Sequence, residues 1–145
     1  MTSKLLTDDL RQRLLLNGKI GQAVDHMAVV KIFDPAGAAT WLLTELLPSV
    51  DDKGQPDLLF GLCDLGFGAP ELGYVSLAEL EAVKGRLGIG LERDLSFRSR
   101  FPLSVYAEAA RQNGRIVERE ADLIAAALSL RLSRPSSLPD DPGSN

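Results

Sequence analysis

Residues 61–85 read GLCDLGFGAPELGYVSLAELEAVKG, and the order of signals in them sets the architecture. The preceding residues join Gly61 to Asp64 in one short apolar run, LLFGLCD (58–64), which has the length and composition of a central strand. A glycine inside such a run either lets something approach closely or forms a bulge, and Gly61 is read in those two ways. After the loop carrying Gly66 and Gly68, LGYV (72–75) reads as a brief strand returning antiparallel. Ser76 then opens SLAELEAVKG as an N-cap, with Glu79 at the capping-box position and Gly85 as the expected stop.

Working outward toward the N-terminus, AVVKIF (28–33), the turn DPAGA and the run ATWLLTELL predict a second hairpin. Strict alternation in its second strand places Trp41, Leu43 and Glu45 on one face and Leu42, Thr44 and Leu46 on the other. PSVDDKGQPD (48–57) is a polar loop. The first segment predicts a helix capped by Thr7, with Asp8 and Asp9 at its positive end, Leu10, Leu14 and Leu15 on the buried face, and Asn17-Gly18 at its stop.

Working toward the C-terminus, RLGIGLERDLSFRSRF predicts a loop and then a strand. In that strand Leu95, Phe97 and Phe101 face away from Asp94, Ser96, Arg98 and Arg100. A helix is expected from Pro102 to about Asn113-Gly114. A second helical stretch over 115–133 has Val117, Ala121, Ile124 and Leu128 as its stripe, widened by Ile116, Leu123 and Leu130. RPSSLPDDPGSN has the composition of a disordered tail. The expectation is one α+β domain over 1–132: a small, mainly antiparallel sheet of about four strands flanked by helices, with a C-terminal helical extension over 105–132 and a tail over 133–145.

Composition narrows the chemistry. The chain has 145 residues, of which 45% are hydrophobic and 25% charged, ordinary proportions for a globular protein. No apolar run has the roughly 20 residues that a spanning helix needs, and the N-terminus turns charged before a signal-peptide core forms, so a cytoplasmic location is expected. The lone Cys63 cannot form an internal disulfide, and the lone His26 rules out a histidine-rich metal cluster. A net charge of −4 opposes direct nucleic-acid binding in the absence of a local basic patch.

TWLLTE, FGLCDLGFGAPELGYVSLAEL, and GLERDLSF followed by PLS occur in an order that resembles a bacterial family known only as domain of unknown function 2958. The resemblance covers roughly residues 4–110. It implies a small cytosolic protein often carried by plasmids, integrated elements and phages, and it brings no catalytic residue. The helical stretch after about residue 112 departs from that pattern and is a candidate contact with a partner or a second copy.

Asp64 at a strand end and Glu71 beyond the loop, with Glu45 as a third carboxylate, form a candidate acid/base or cation-binding group. The structural alternative ties Asp64 to the Gly66–Gly68 turn and pairs Glu71 with Arg93. The glycine spacing does not open directly into a helix, which disfavours a phosphate cradle, and no cofactor or metal is expected. Cys63 reads as a small buried residue. Arg93, Arg98 and Arg100 interleave with Phe97 and Phe101 as possible phosphate contacts, although Glu92 and Asp94 offset them. Trp41 and Tyr74 read first as core aromatics and then as a binding wall.

The expected function is therefore a non-enzymatic interaction module that binds a protein or small ligand through Trp41, Glu45, Asp64, Glu71, Tyr74, Glu92, Arg93 and Asp94. The alternatives are a carboxylate-based or metal-assisted hydrolase or transferase, and a nucleic-acid-associated accessory or defence-evasion protein.

Overall fold

A computed structural model describes residues 5–48 and 57–133. The central run is β3 (Leu58–Asp64), flanked by β2 (Thr40–Leu47) and β4 (Glu71–Ser76). With β1 (Val30–Phe33) these strands make an antiparallel meander, and the two-residue β5 (Glu92–Arg93) extends it to the order β4-β3-β2-β1-β5. Helices α1 (Asp8–Ile20) and α2 (Leu77–Ala82) follow in this α+β architecture on one side, and α3 (Leu103–Asn113) and α4 (Glu120–Ser133) on the other.

Each face of the sheet has its own core. Val30, Ile32, Trp41, Leu43, Leu46 and Leu59 pack with Leu14 of α1 and with Leu77 and Leu80 of α2. Leu42 and Leu62 point the other way, onto Leu103, Tyr106 and Ala110 of α3 and Leu123 of α4. Apolar residues on both sides are what a sheet covered by helices on both faces requires.

The alternation in β2 is broken. Leu43 pairs with Gly61 and Glu45 with Phe60, so Thr44 is an extra residue in the ladder, a β-bulge. One inserted residue exchanges faces for everything beyond it. Leu46 thus joins Trp41 and Leu43, while Glu45 turns to the face of Leu42, away from the indole with which strict alternation groups it. Gly61 makes the close passage possible: a Cβ there would lie 2.0 Å from the Leu42 carbonyl oxygen.

Both predicted caps form, with Thr7 Oγ1 accepting from Leu10 N and Ser76 Oγ from Glu79 N. The helix stops differ from expectation. α1 runs through Asn17-Gly18 to Ile20 and ends at Gly21, whose φ is +86°. Asn17 Nδ2 donates to Thr44 O at 2.9 Å, and Gly18 lets the helix backbone meet Leu46, so both residues serve packing. α2 ends at Ala82, three residues before Gly85, which instead fits against the Asp34 carboxylate.

Two further expectations are corrected. No long strand follows β5, because the Asp94 carboxylate accepts from both the backbone and the hydroxyl of Ser96, a local turn that competes with a ladder and leaves Leu95 exposed. α4 begins only at Glu120 and buries Leu123 and Ala126, so that Ile124 and Leu128 of the expected stripe are exposed, as is Leu132. The predicted loop lies largely outside the described residues, as does the tail beyond Ser133.

Candidate functional site

The glycine corner uses its first carboxylate internally. Asp64, only 3% exposed, accepts from Gly66 N at 2.9 Å through Oδ1 and from Ile116 N at 3.0 Å through Oδ2. It holds its own turn and, 52 residues on, the segment between α3 and α4. Gly66 and Gly68 both have φ near +90°, which explains the residue type at these turn positions.

Glu71 does not join it. Glu71 stands opposite Cys63, on the sheet face carrying Trp41, whereas Asp64 lies one residue beyond Cys63 and faces the α3–α4 side. The expected Glu71–Arg93 pair is absent as well. Those residues sit on opposite edge strands, four inter-strand spacings or roughly 19 Å apart. Arg93 instead donates to Leu5 O at 2.8 Å, and Glu71 is exposed.

The remaining expected binding residues divide in the same way. Trp41 is buried in the α1–α2 core. Tyr74 is exposed on the outer strand, its ring 5.0 Å from that of Phe60 and its Oη accepting from Gln22 Nε2 at 2.7 Å. At the far edge, Glu92 is exposed, and Asp94 lies 3.4 Å from Lys31 Nζ. The hydrogen bonds from Ser96, against some burial and with help from Lys31, hold the Asp94 carboxyl below its ordinary range. Burial works to lower the Lys31 value, but Glu118, 2.6 Å away, together with Asp94 outweighs it and raises it. Arg100 lies 3.7 Å from Glu120, and Arg98 is exposed. The eight expected binding residues therefore do not share one surface.

Burial pushes the Cys63 thiol up to about 11, so it stays protonated at neutral pH. His26 lies across the sheet from it, on the side of Glu45. The structure thus keeps the only thiol and the only imidazole apart.

What it does bring together is Glu45 and His26. The bulge aims Glu45 into a cleft of about 230 Å³ lined by Gln22, Val24, Asp25 and His26 from the α1–β1 connection, Thr44 from β2, Phe60 and Leu72 from β3 and β4, and Leu103 and Ser104 from α3. Glu45 is 2% exposed, and no donor among the described residues is hydrogen-bonded to its carboxyl. Burial raises its pKa, and the nearby His26 imidazole partly counters this. Among the described residues, no cluster of three metal-ligating side chains occurs.

The connection is held by tertiary bonds. Leu103 N donates to His26 O at 2.9 Å, and Asp25 accepts from the backbone and hydroxyl of Ser104, capping α3 from a distance. Asp25, His26 and Ser104 meet here without forming a nucleophilic triad: the serine hydroxyl is bound directly to the aspartate, and His26 Nε2 faces Gly21 O at 2.8 Å. In the sequence Asp25 and His26 are only a polar connector between α1 and β1, and Ser104 lies 78 residues beyond His26 in the first turn of α3. Glu45 ends TWLLTE and Leu103 and Ser104 lie in PLS, but nothing in the spacing of these motifs places them around one cleft.

The fold and cleft define an α+β protein: an antiparallel meander between two helical layers, with a small, mostly apolar cleft over a buried carboxyl. A family model described as protein of unknown function (DUF2958) matches residues 5–117, and the chain belongs to that family. The match takes in the sheet, α1 to α3 and the Asp64–Ile116 tether, and it stops before α4. No curated protein and no solved structure matches the chain.

Proposed function

We propose that this protein is a non-enzymatic cytoplasmic binding module whose ligand seat is the Glu45–His26 cleft. The observation that carries the reading is the Glu45 side chain, almost wholly buried at the base of a recess that mixes apolar walls with polar groups and without a hydrogen-bonded donor among the described residues. No fully buried side-chain oxygen is left without a partner among the described residues, so the Glu45 oxygens open onto the cleft, where they favour an occupant able to supply a donor. Leu72, Val24 and Tyr74, about half exposed around the recess, offer the apolar contact area. Carriage by plasmids, integrated elements or phages, implied by the family resemblance, belongs to the same reading.

The carboxylate-enzyme reading draws no support from this geometry. Asp64 is engaged by two backbone amides, Glu71 faces the opposite side, and Glu45 is paired four ladder positions from Asp64 along the sheet, roughly 13 Å away.

The test is an NMR screen of small cationic, neutral and anionic fragments against isotope-labelled protein. Shifts should cluster on Val24, His26, Leu72 and Leu103 and be lost in Leu72→Arg, a substitution at an exposed edge-strand position that fills the cleft mouth. Shifts clustering elsewhere, or surviving in Leu72→Arg, would refute the assignment.

A further inference from the structure

We propose that the cleft is selective for an aliphatic ammonium head on a short apolar stem, the chemistry of a primary alkylamine or a lysine side chain. The inference rests on the cleft being the ligand seat and comes from its hydrogen-bond inventory. Each side-chain donor group lining the cleft has a protein partner: Gln22 Nε2 with Tyr74 Oη, Thr44 Oγ1 with Phe60 O, Ser104 Oγ with Asp25, and His26 Nε2 with Gly21 O. A carbonyl can only accept, so the neutral imidazole carries its proton on Nε2 and presents Nδ1 as a bare acceptor. Apart from the second Nε2 hydrogen of Gln22, the unfilled capacity is thus on the acceptor side, in the Glu45 carboxyl, Gln22 Oε1, the oxygen lone pairs of Thr44 and Ser104, and His26 Nδ1.

An ammonium supplies three donors and no acceptor, the complement of that set. Charge selects in the same direction. Asp25 and Glu45 line the cleft and, among the described residues, neither lysine nor arginine does, so an anion would meet two carboxyl groups and no fixed cation from them. Size selects against larger ligands: about 230 Å³ lies below the roughly 300–1,000 Å³ of cofactor and drug-sized sites, and it suits a four-carbon stem against Val24, Phe60, Leu72 and Leu103.

The test uses n-butylammonium, n-butanol and butyrate at pH 8 and matched ionic strength. It follows the ring resonances of His26, the only histidine, and the methyls of Leu72 and Leu103. n-Butylammonium should saturate with a Kd on the order of millimolar, as expected for a ligand of so few atoms, and bind at least about tenfold more tightly than the other two. In Glu45→Gln the preference for amine over alcohol should collapse while the backbone spectrum stays native. Nα-acetyl-lysine N-methylamide separates the sources: tighter binding than n-butylammonium assigns the head to a polypeptide, weaker binding to a free amine, and either outcome supports the ammonium chemistry. Equal binding of n-butanol or butyrate would overturn this inference and leave the cleft as the seat. Shifts at the cleft from none of the probes would overturn both.

Discussion

Replacing Asp64 by alanine tests whether the glycine corner is structural. The carboxylate is buried and accepts two backbone amides, from Gly66 and from Ile116. A hydrogen bond to a charged group contributes about 1.5–3 kcal/mol net, so two give roughly 3–6 kcal/mol. Part of this offsets the cost of burying the carboxylate itself, which leaves an expected loss of about 3 kcal/mol in Asp64→Ala. Asn retains one carbonyl acceptor but turns an amide toward the second N–H, so Asp64→Asn should lose roughly half as much. For a chain of 145 residues this corresponds to a fall in Tm of about 10 °C for alanine at roughly 3 °C per kcal/mol. Urea unfolding measures the free energies, and amide exchange at Ile116 localises them: its protection should drop in both variants relative to that of Leu62 in the same sheet. A loss below about 0.5 kcal/mol in Asp64→Ala, with Ile116 exchange unchanged, would refute the tether and free Asp64 for a binding role.

Three further outcomes follow from packing and charge. Gly18→Ala, which in an exposed helix would stabilise by up to about 1 kcal/mol, should instead destabilise, because its Cβ would lie 2.3 Å from Leu46 O; a raised Tm would contradict that approach. Gly61→Ala should lose about 3 kcal/mol or more in urea unfolding and shift the resonances of Thr44 and Glu45, since the clash at Leu42 and Leu43 lies at the bulge. Glu45→Gln should be more stable than the wild type at neutral pH. The folded state raises the Glu45 pKa, so wild-type stability from this group is highest near and below 4.5 and declines as pH rises through the raised value, and the two proteins should converge in acid.

The elements legible in the sequence are those fixed by local chemistry. Thr7 and Ser76 announced their helices through side-chain caps, and LLFGLCD followed by a glycine loop announced the central hairpin. What was illegible depends on distant partners. ERDLSFRSR alternates like a strand, yet Asp94 is drawn into a turn with Ser96 and onto Lys31. LIAAALSL is apolar on every side, so its sequence does not say which face to bury. That choice depends on where α4 begins, after a connector fixed by the Asp64–Ile116 and Lys31–Glu118 contacts. Asn17-Gly18 has the composition of a helix stop and the function of a packing contact with β2.

The bulge joins these two kinds of information. No glycine or turn residue in TWLLTELL marks it, and each residue there is at home in a regular strand. Its cause lies in two neighbours: Gly61 lets β2 press onto β3, and α1 fills the opposite side, with Asn17 taking Thr44 O and Gly18 seating against Leu46 O. In a regular ladder Glu45 would point into the core of Trp41, Leu43 and Leu59, where a carboxyl has no solvent and no partner. Moving it by one residue places Leu46 in that core and Glu45 at the cleft beside His26, so the same irregularity completes the apolar packing and creates the candidate site. Glu45 therefore owes its position to two glycines, Gly18 and Gly61, neither of which lines the cleft, and substitution of either should alter ligand binding at a distance as well as stability.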